Sequence, residues 1–175
     1  MWAKILQKIP NSKLFIYRSK LTDDVIKYLK TKMKEFEIKD KQVIISNKQY
    51  DAYHHVYSLV DISLDPYPFS GMSIAIETAL MGVPTITLVG EGMQSRGAGR
   101  INHIIGLEEV LNASFGDEYV QKAVDLALNK EKLQELRKTL REKINSSSLK
   151  QNPAEFTRIL EENYKQAWLN FVKSH

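Results

Sequence analysis

The chain has 175 residues, of which 43% are hydrophobic and 26% charged, with a net charge of +4 and no cysteine. That length supports one domain with a real core, and the missing cysteines exclude a disulfide framework and a thiolate metal site. No apolar run approaches a membrane span, the opening Met-Trp-Ala-Lys-Ile-Leu has no signal-peptide pattern, and lysines interspersed with acids, as in Lys130-Glu131-Lys132, read as solvated helix face rather than a nucleic-acid footprint. The expectation is a cytoplasmic protein with neither a membrane nor a nucleic-acid partner.

Apolar spacing sets the elements in order. Trp2, Ile5, Leu6 and Ile9 fall at i, i+3, i+4 and i+7 and predict a helix from Trp2 to Ile9, ended by Pro10-Asn11-Ser12. Leu14-Phe15-Ile16-Tyr17 is continuously apolar, the signature of a strand buried on both faces. Thr22-Asp23-Asp24 starts a helix, a cap followed by acids that suit its N-terminus, and Val25, Ile26, Leu29, Met33 and Phe36 supply its apolar stripe. Val43-Ile44-Ile45 is the next strand, Asp51 to Leu59 a short helix, and Asp61 to Asp65 a strand stopped by Pro66 and Pro68.

Ser73 to Met81 is a helix closed by Gly82. Pro84 to Val89 is a fourth strand, and Gln94 to Ile105 a helix weakened by Gly97 and Gly99. Everything after Leu107 reads as helix: Leu107–Leu111, Gly116–Asn129, Lys130–Ile144, and Pro153 to Val172. In the last, Phe156, Ile159, Leu160, Tyr164, Ala167, Trp168 and Phe171 recur at helical spacing. That stripe is expected to pack along the domain, with a partner domain as the alternative.

Strands alternating with helices predict an α/β fold, a Rossmann-like parallel sheet with flanking helices and a helical C-terminal part. Four strands are few for such a sheet. Ser146-Ser147-Ser148 divides residues 1–145, the sheet domain, from the terminal helix in 146–175.

Ligands of open α/β sheets bind beyond the carboxyl ends of the strands, which singles out the loops after Ile45, Asp65 and Val89. The second is richest. A strand ends, prolines shape a turn, and Ser70-Gly71 leads into a helix whose free N–H groups make an anion site suited to a diphosphate. Gly71 permits close backbone approach, Ser73 adds a hydroxyl, and Glu77 is placed to accept from ribose hydroxyls; a simple capped helix explains the same residues. Ser95-Arg96 offers a guanidinium for a phosphate, and Asn47-Lys48-Gln49 a polar rim for a base. His54 and His55 are adjacent and diverge by about 100° on a helix, so no metal site is expected.

The ordered set of these motifs resembles the C-terminal part of the catalytic region of the O-GlcNAc transferase and SPINDLY-like glycosyltransferases (glycosyltransferase family 41), especially bacterial members with tetratricopeptide repeats. The resemblance rests on the opening helix from Met1 to Ser12, Asp61 to Gly71, Glu77 to Leu88, Ser95-Arg96, Gly106 to Glu109, and Tyr164-Lys-Gln-Ala-Trp168. It implies the second domain of a GT-B fold, with a first strand and a lysine-bearing loop expected before the helix that opens here. It further implies a UDP-sugar donor, N-acetylglucosamine transfer to Ser or Thr of a protein acceptor engaged by other domains, and no metal cofactor. Gly71, Met72, Ser73 and Ile74 would hold the diphosphate, Glu77 the ribose, and the loop around Lys48 the uracil, with Tyr53 and Ser95-Arg96 nearby.

This sequence departs from the family at four positions. Met72, Ser73 and Ile74 stand where Gly or His and two threonines are usual, and Tyr53 where a histidine is common. Backbone contacts would survive these changes, while side-chain contacts to phosphate would weaken. The expected function is therefore the UDP-sugar-binding part of a protein O-glycosyltransferase, inactive alone, with self-association through an open sheet edge. The alternative is a non-catalytic nucleotide-binding or protein-interaction module on the same fold.

Overall fold

Apolar runs become short parallel strands and the periodic segments become helices in the computed structural model, which describes residues 1–48, 53–150 and 153–174. Helix α1 (Trp2–Lys8) leads to β1 (Leu14–Tyr17), α2 (Asp23–Glu35) and β2 (Val43–Ser46). A 3-10 turn at Tyr53–Leu59 precedes β3 (Ser63–Leu64), α3 (Met72–Leu80) and β4 (Thr85–Leu88). After α4 (Gly97–Ile104) and α5 (Glu108–Leu111) comes β5 (Asn112–Ala113), followed by α6 (Gly116–Leu128), α7 (Lys130–Ser146) and α8 (Pro153–Ser174).

Among the described residues every strand pair is parallel, as helical returns require. β1 lies beside β2 with Leu14 opposite Val43, and a second group runs in the order β3-β4-β5. Among the described residues no hydrogen-bonded pair joins β1 to β3. Helix α1 spans that break. Its Ile5 enters the main core with Ile86, Leu111, Tyr119 and Leu140, while Ala3 and Leu6 join Leu14, Met33 and Ile38 in a smaller one. Trp2 and Leu64 pack against both clusters. Polar ties hold α1 in place: Lys4 Nζ lies 2.9 Å from Asp117 Oδ1, and Gln42 Nε2 donates to the Leu6 carbonyl at 3.2 Å.

Packing follows helical spacing. Ala75, Thr78 and Ala79 are the buried face of α3, and Leu136, Leu140 and Ile144 that of α7. The side chain of Asn129 caps α7 by accepting from Lys132 N at 3.0 Å. Burial of each large aliphatic side chain contributes about 1.5–3 kcal/mol.

Four expectations need correction. A fifth strand, β5, interrupts the stretch after Leu107 that reads as all helix. It is two residues long and pairs with Thr87 and Leu88, too short to carry a period of its own. β1 is not buried on both faces: only Leu14 is buried and Phe15, Ile16 and Tyr17 are half-buried. The α2 stripe is only partly covered: Met33 is buried and Ile26 and Leu29 half-buried, but Val25 and Phe36 are exposed. Every described residue of α8 is exposed, so its aromatic stripe does not pack along the domain; Trp168 and Phe171 stack on each other instead.

Gly82 follows α3 with φ of +73°, the left-handed conformation its sequence position suggests. A methyl group there would stand 2.8 Å from the Arg137 carbonyl oxygen. Gly82→Ala is therefore expected to cost about 2–3 kcal/mol from αL strain plus that contact, read as a lower urea midpoint with an unchanged m value.

Candidate functional site

The carboxyl ends of β3 and β4 are organised by one side chain. Asp65, 5% exposed at the end of β3, accepts from Ser70 Oγ at 2.7 Å, Thr87 Oγ1 at 2.7 Å and Gly71 N at 2.9 Å. A buried carboxylate is tolerated only when its oxygens are satisfied in this way. The bonds close the turn from Asp65 to Gly71 and anchor it to β4. Ser70 extends the anchorage: its hydroxyl accepts from Ala98 N at 2.8 Å and its amide donates to the Gln94 carbonyl at 2.8 Å.

Behind Asp65 stands Tyr119, fully buried, whose hydroxyl donates to the Asp65 carbonyl at 3.1 Å and accepts from Trp2 Nε1 at 3.3 Å. Burial pushes the Tyr119 phenol above its ordinary range; the Trp2 N–H pulls the other way and the charge of Asp65 adds to the rise. The hydroxyl therefore remains a donor.

Two helix starts meet at this turn. Gly71 is the N-cap of α3, and the first intrahelical bond runs from Ala75 N to Gly71 O. The amides of Met72, Ser73 and Ile74 come before it and face out of the helix end. Arg96 is the N-cap of α4, whose first turn lies against the start of α3: a Cβ on Gly97 would come within 3.0 Å of Met72 N. Glycine permits that approach, which brings two positive dipole ends to one place.

The sequence-derived candidates separate on this scaffold. Gly71, Met72, Ser73 and Ile74 stand together at the α3 start, the last three exposed, but the Gly71 amide is already given to Asp65. Glu77 is half-buried in the second turn, and its Oε2 accepts from Tyr57 Oη at 3.2 Å. Arg96 is exposed at the start of α4, with Nε donating to the Gly90 carbonyl at 3.0 Å. Ser95 turns inward, 2% exposed, its hydroxyl given to the Gly92 carbonyl at 2.7 Å, so it shapes its loop. Lys48 is exposed just beyond β2, where its amide approaches Ser46 Oγ. The side chain of Tyr53 lies outside the described residues, as does that of His54.

Sequence reading missed Asp65 as the organiser, along with Tyr57 and Tyr119. A carboxylate ending an apolar strand just before Pro66 is a signal for the first. Tyr57 meets Glu77 only through the tertiary fold.

Comparison with known proteins bears on the family and the fold. The profile of Glycosyl transferase family 41 matches residues 1–158. A probable UDP-N-acetylglucosamine–peptide N-acetylglucosaminyltransferase SPINDLY of Hordeum vulgare is 35% identical over 96% of this chain, and its Arabidopsis thaliana counterpart 32% identical over 99%. This chain spans 18% and 19% of those two proteins. A solved point mutant of the O-GlcNAc transferase of Thermobaculum terrenum superposes with a TM-score of 0.84 at 28% identity, over 95% of this chain and 32% of the other.

The Asp65 network yields an order of severity. Asp65→Ala strips three donors of their acceptor and is expected to cost about 3–5 kcal/mol, whereas Thr87→Val removes one donor and costs about 1–2 kcal/mol. Chemical denaturation of both variants checks this, and a Thr87→Val cost equal to that of Asp65→Ala contradicts the central role of the carboxylate.

Proposed function

Because the chain belongs to glycosyl transferase family 41, we propose that it is the part of a protein O-glycosyltransferase that holds a UDP-sugar donor. The observation that carries the reading is the paired helix start. The outward amides of Met72, Ser73 and Ile74 on α3 stand against the first turn of α4, with Arg96 exposed at its cap. Amide dipoles and a guanidinium meet the charge of a diphosphate, so this reading calls for no metal ion. Glu77, held by Tyr57, takes the ribose hydroxyls, and Lys48 and Tyr53 border the uracil.

Transfer follows from position. The acceptor hydroxyl of a Ser or Thr side chain attacks the anomeric carbon of N-acetylglucosamine, and negative charge grows on the departing UDP. Donors already oriented at that place stabilise it without reorganisation. In this chain the orientation is supplied by Asp65, which fixes the turn, and by Ser70, which joins the turn to α4. Acceptor binding belongs to the rest of a longer protein, and the 175 residues alone do not turn over.

A second reading, a non-catalytic interaction module that has lost donor binding, is favoured by one observation: Met72 and Ile74 put exposed apolar side chains at the helix start, where hydroxyls would add bonds to phosphate.

Calorimetric titration of UDP into the complete polypeptide carrying this segment separates the two. The first reading expects saturable binding, unchanged by EDTA and weakened about 10-fold or more by Glu77→Ala, the equivalent of one charge-assisted bond. A folded protein that takes up no UDP leaves the second.

A further inference from the structure

We infer that α8 is a self-pairing helix: its aromatic face packs antiparallel against α8 of a second copy of this chain, about a two-fold axis beside Tyr164. The inference is independent of what the strand-end site binds, and it involves no sheet edge.

The face is built by spacing. Phe156, Leu160, Tyr164, Ala167, Trp168 and Phe171 recur at i+3 and i+4, which gathers them on one side of the helix. None is buried: Phe156 is 59% exposed, Tyr164 68% and Trp168 64%. Trp168 and Phe171 stack with ring centroids 5.9 Å apart, so the two rings form one surface. Contiguous apolar surface of this kind marks an interaction site.

Charge identifies the occupant. Residues 153–163 carry Glu155, Glu161 and Glu162 against Arg158, and Arg158 Nη2 is already held by Glu155 Oε1 at 2.8 Å. That half is acidic. Residues 164–174 carry Lys165 and Lys173 and no acid, so the other half is basic. The boundary falls beside Tyr164, near the middle of Pro153–Ser174. A two-fold axis at that point lays each acidic half over the basic half of the other copy, whereas a parallel pair sets like charge on like. The same reversal puts Leu160 against Trp168, and Tyr164 meets its own copy. The helix is complementary to its own reverse. A lipid surface is the poorer match, because interfacial helices are rich in Lys and Arg on the polar face, and here three acids balance three bases.

Area sets the strength. The exposed parts of this face come to roughly 600 Å² per copy, on the order of 1,200 Å² for a pair, the lower end of a specific interface. The dimer is therefore reversible, with a midpoint in the micromolar range.

Sedimentation equilibrium of the 175-residue chain tests the inference. The mass is expected to rise from 20.1 kDa toward twice that value across micromolar concentrations. Trp168→Asp is expected to raise the dissociation constant by roughly tenfold or more. Core amide exchange stays unchanged in that variant, since no described residue of α8 is buried. Phe36→Asp, which charges the exposed end of the α2 stripe, is expected to leave the dimer intact. Direction is read with single introduced cysteines, which this sequence otherwise lacks. Asn163→Cys lies beside the axis and is expected to form an intermolecular disulfide on oxidation. Thr157→Cys stands about seven residues from the axis, about 21 Å from its copy in an antiparallel pair, and is expected to form none. Four outcomes overturn the proposal: a mass of 20.1 kDa at every concentration, a dimer that survives Trp168→Asp, a dimer lost in Phe36→Asp, or cross-linking through position 157 as readily as through 163. Binding of a monomeric chain to anionic phospholipid vesicles, abolished by Trp168→Asp, overturns it in favour of a lipid surface.

Discussion

A buried carboxylate must collect its hydrogen bonds, and here that requirement builds the end of the sheet. Asp65 draws in a hydroxyl from β4, a hydroxyl from the turn and the amide that precedes α3. Two of these donors close the turn itself and the third ties it to β4. Without the carboxylate the turn from Asp65 to Gly71 has few internal reasons to adopt one shape, since its apolar residues Tyr67 and Phe69 are exposed. The electrostatic cost of dehydrating one acid is thus converted into a defined position for the two helix starts.

That position matters to the proposed role in holding a diphosphate. Amides at helix ends are useful to a developing charge only if they are oriented beforehand. The close approach of Gly97 to the start of α3 and the double bonding of Ser70 keep the α3 and α4 ends in register. The exposed apolar side chains of Met72 and Ile74 leave that backbone framework intact.

Much of this was legible in the chain because it depends on short-range pattern. The α3 face, the glycine that closes it, and the strands at β1, β2 and β4 all follow from residues within a few positions of one another. The anion-site candidates from Gly71 to Glu77 cluster in space for the same reason. What stayed hidden depends on distant partners. The tie from Tyr57 to Glu77, the inward turn of Ser95 and the two-residue β5 are products of tertiary contact, with no period to announce them. The stripes of α2 and α8 show the opposite failure. Their apolar spacing is real, but spacing states only that a face exists, and in this chain the first face is only partly covered and the second is left open.

The position of α1 has a consequence for the order in which the molecule assembles. Trp2 meets the Tyr119 hydroxyl across 117 residues of sequence, and Lys4 meets Asp117 across 113. Closing loops of that length carries an entropic cost before any contact repays it. A chain emerging from the ribosome therefore holds α1 without its partners until α6 has appeared. Tyr119 also completes the support of Asp65 from behind, so the strand-end turn receives its last tether in the same event. The final shape of that turn arrives late in synthesis, coupled to the docking of the first helix.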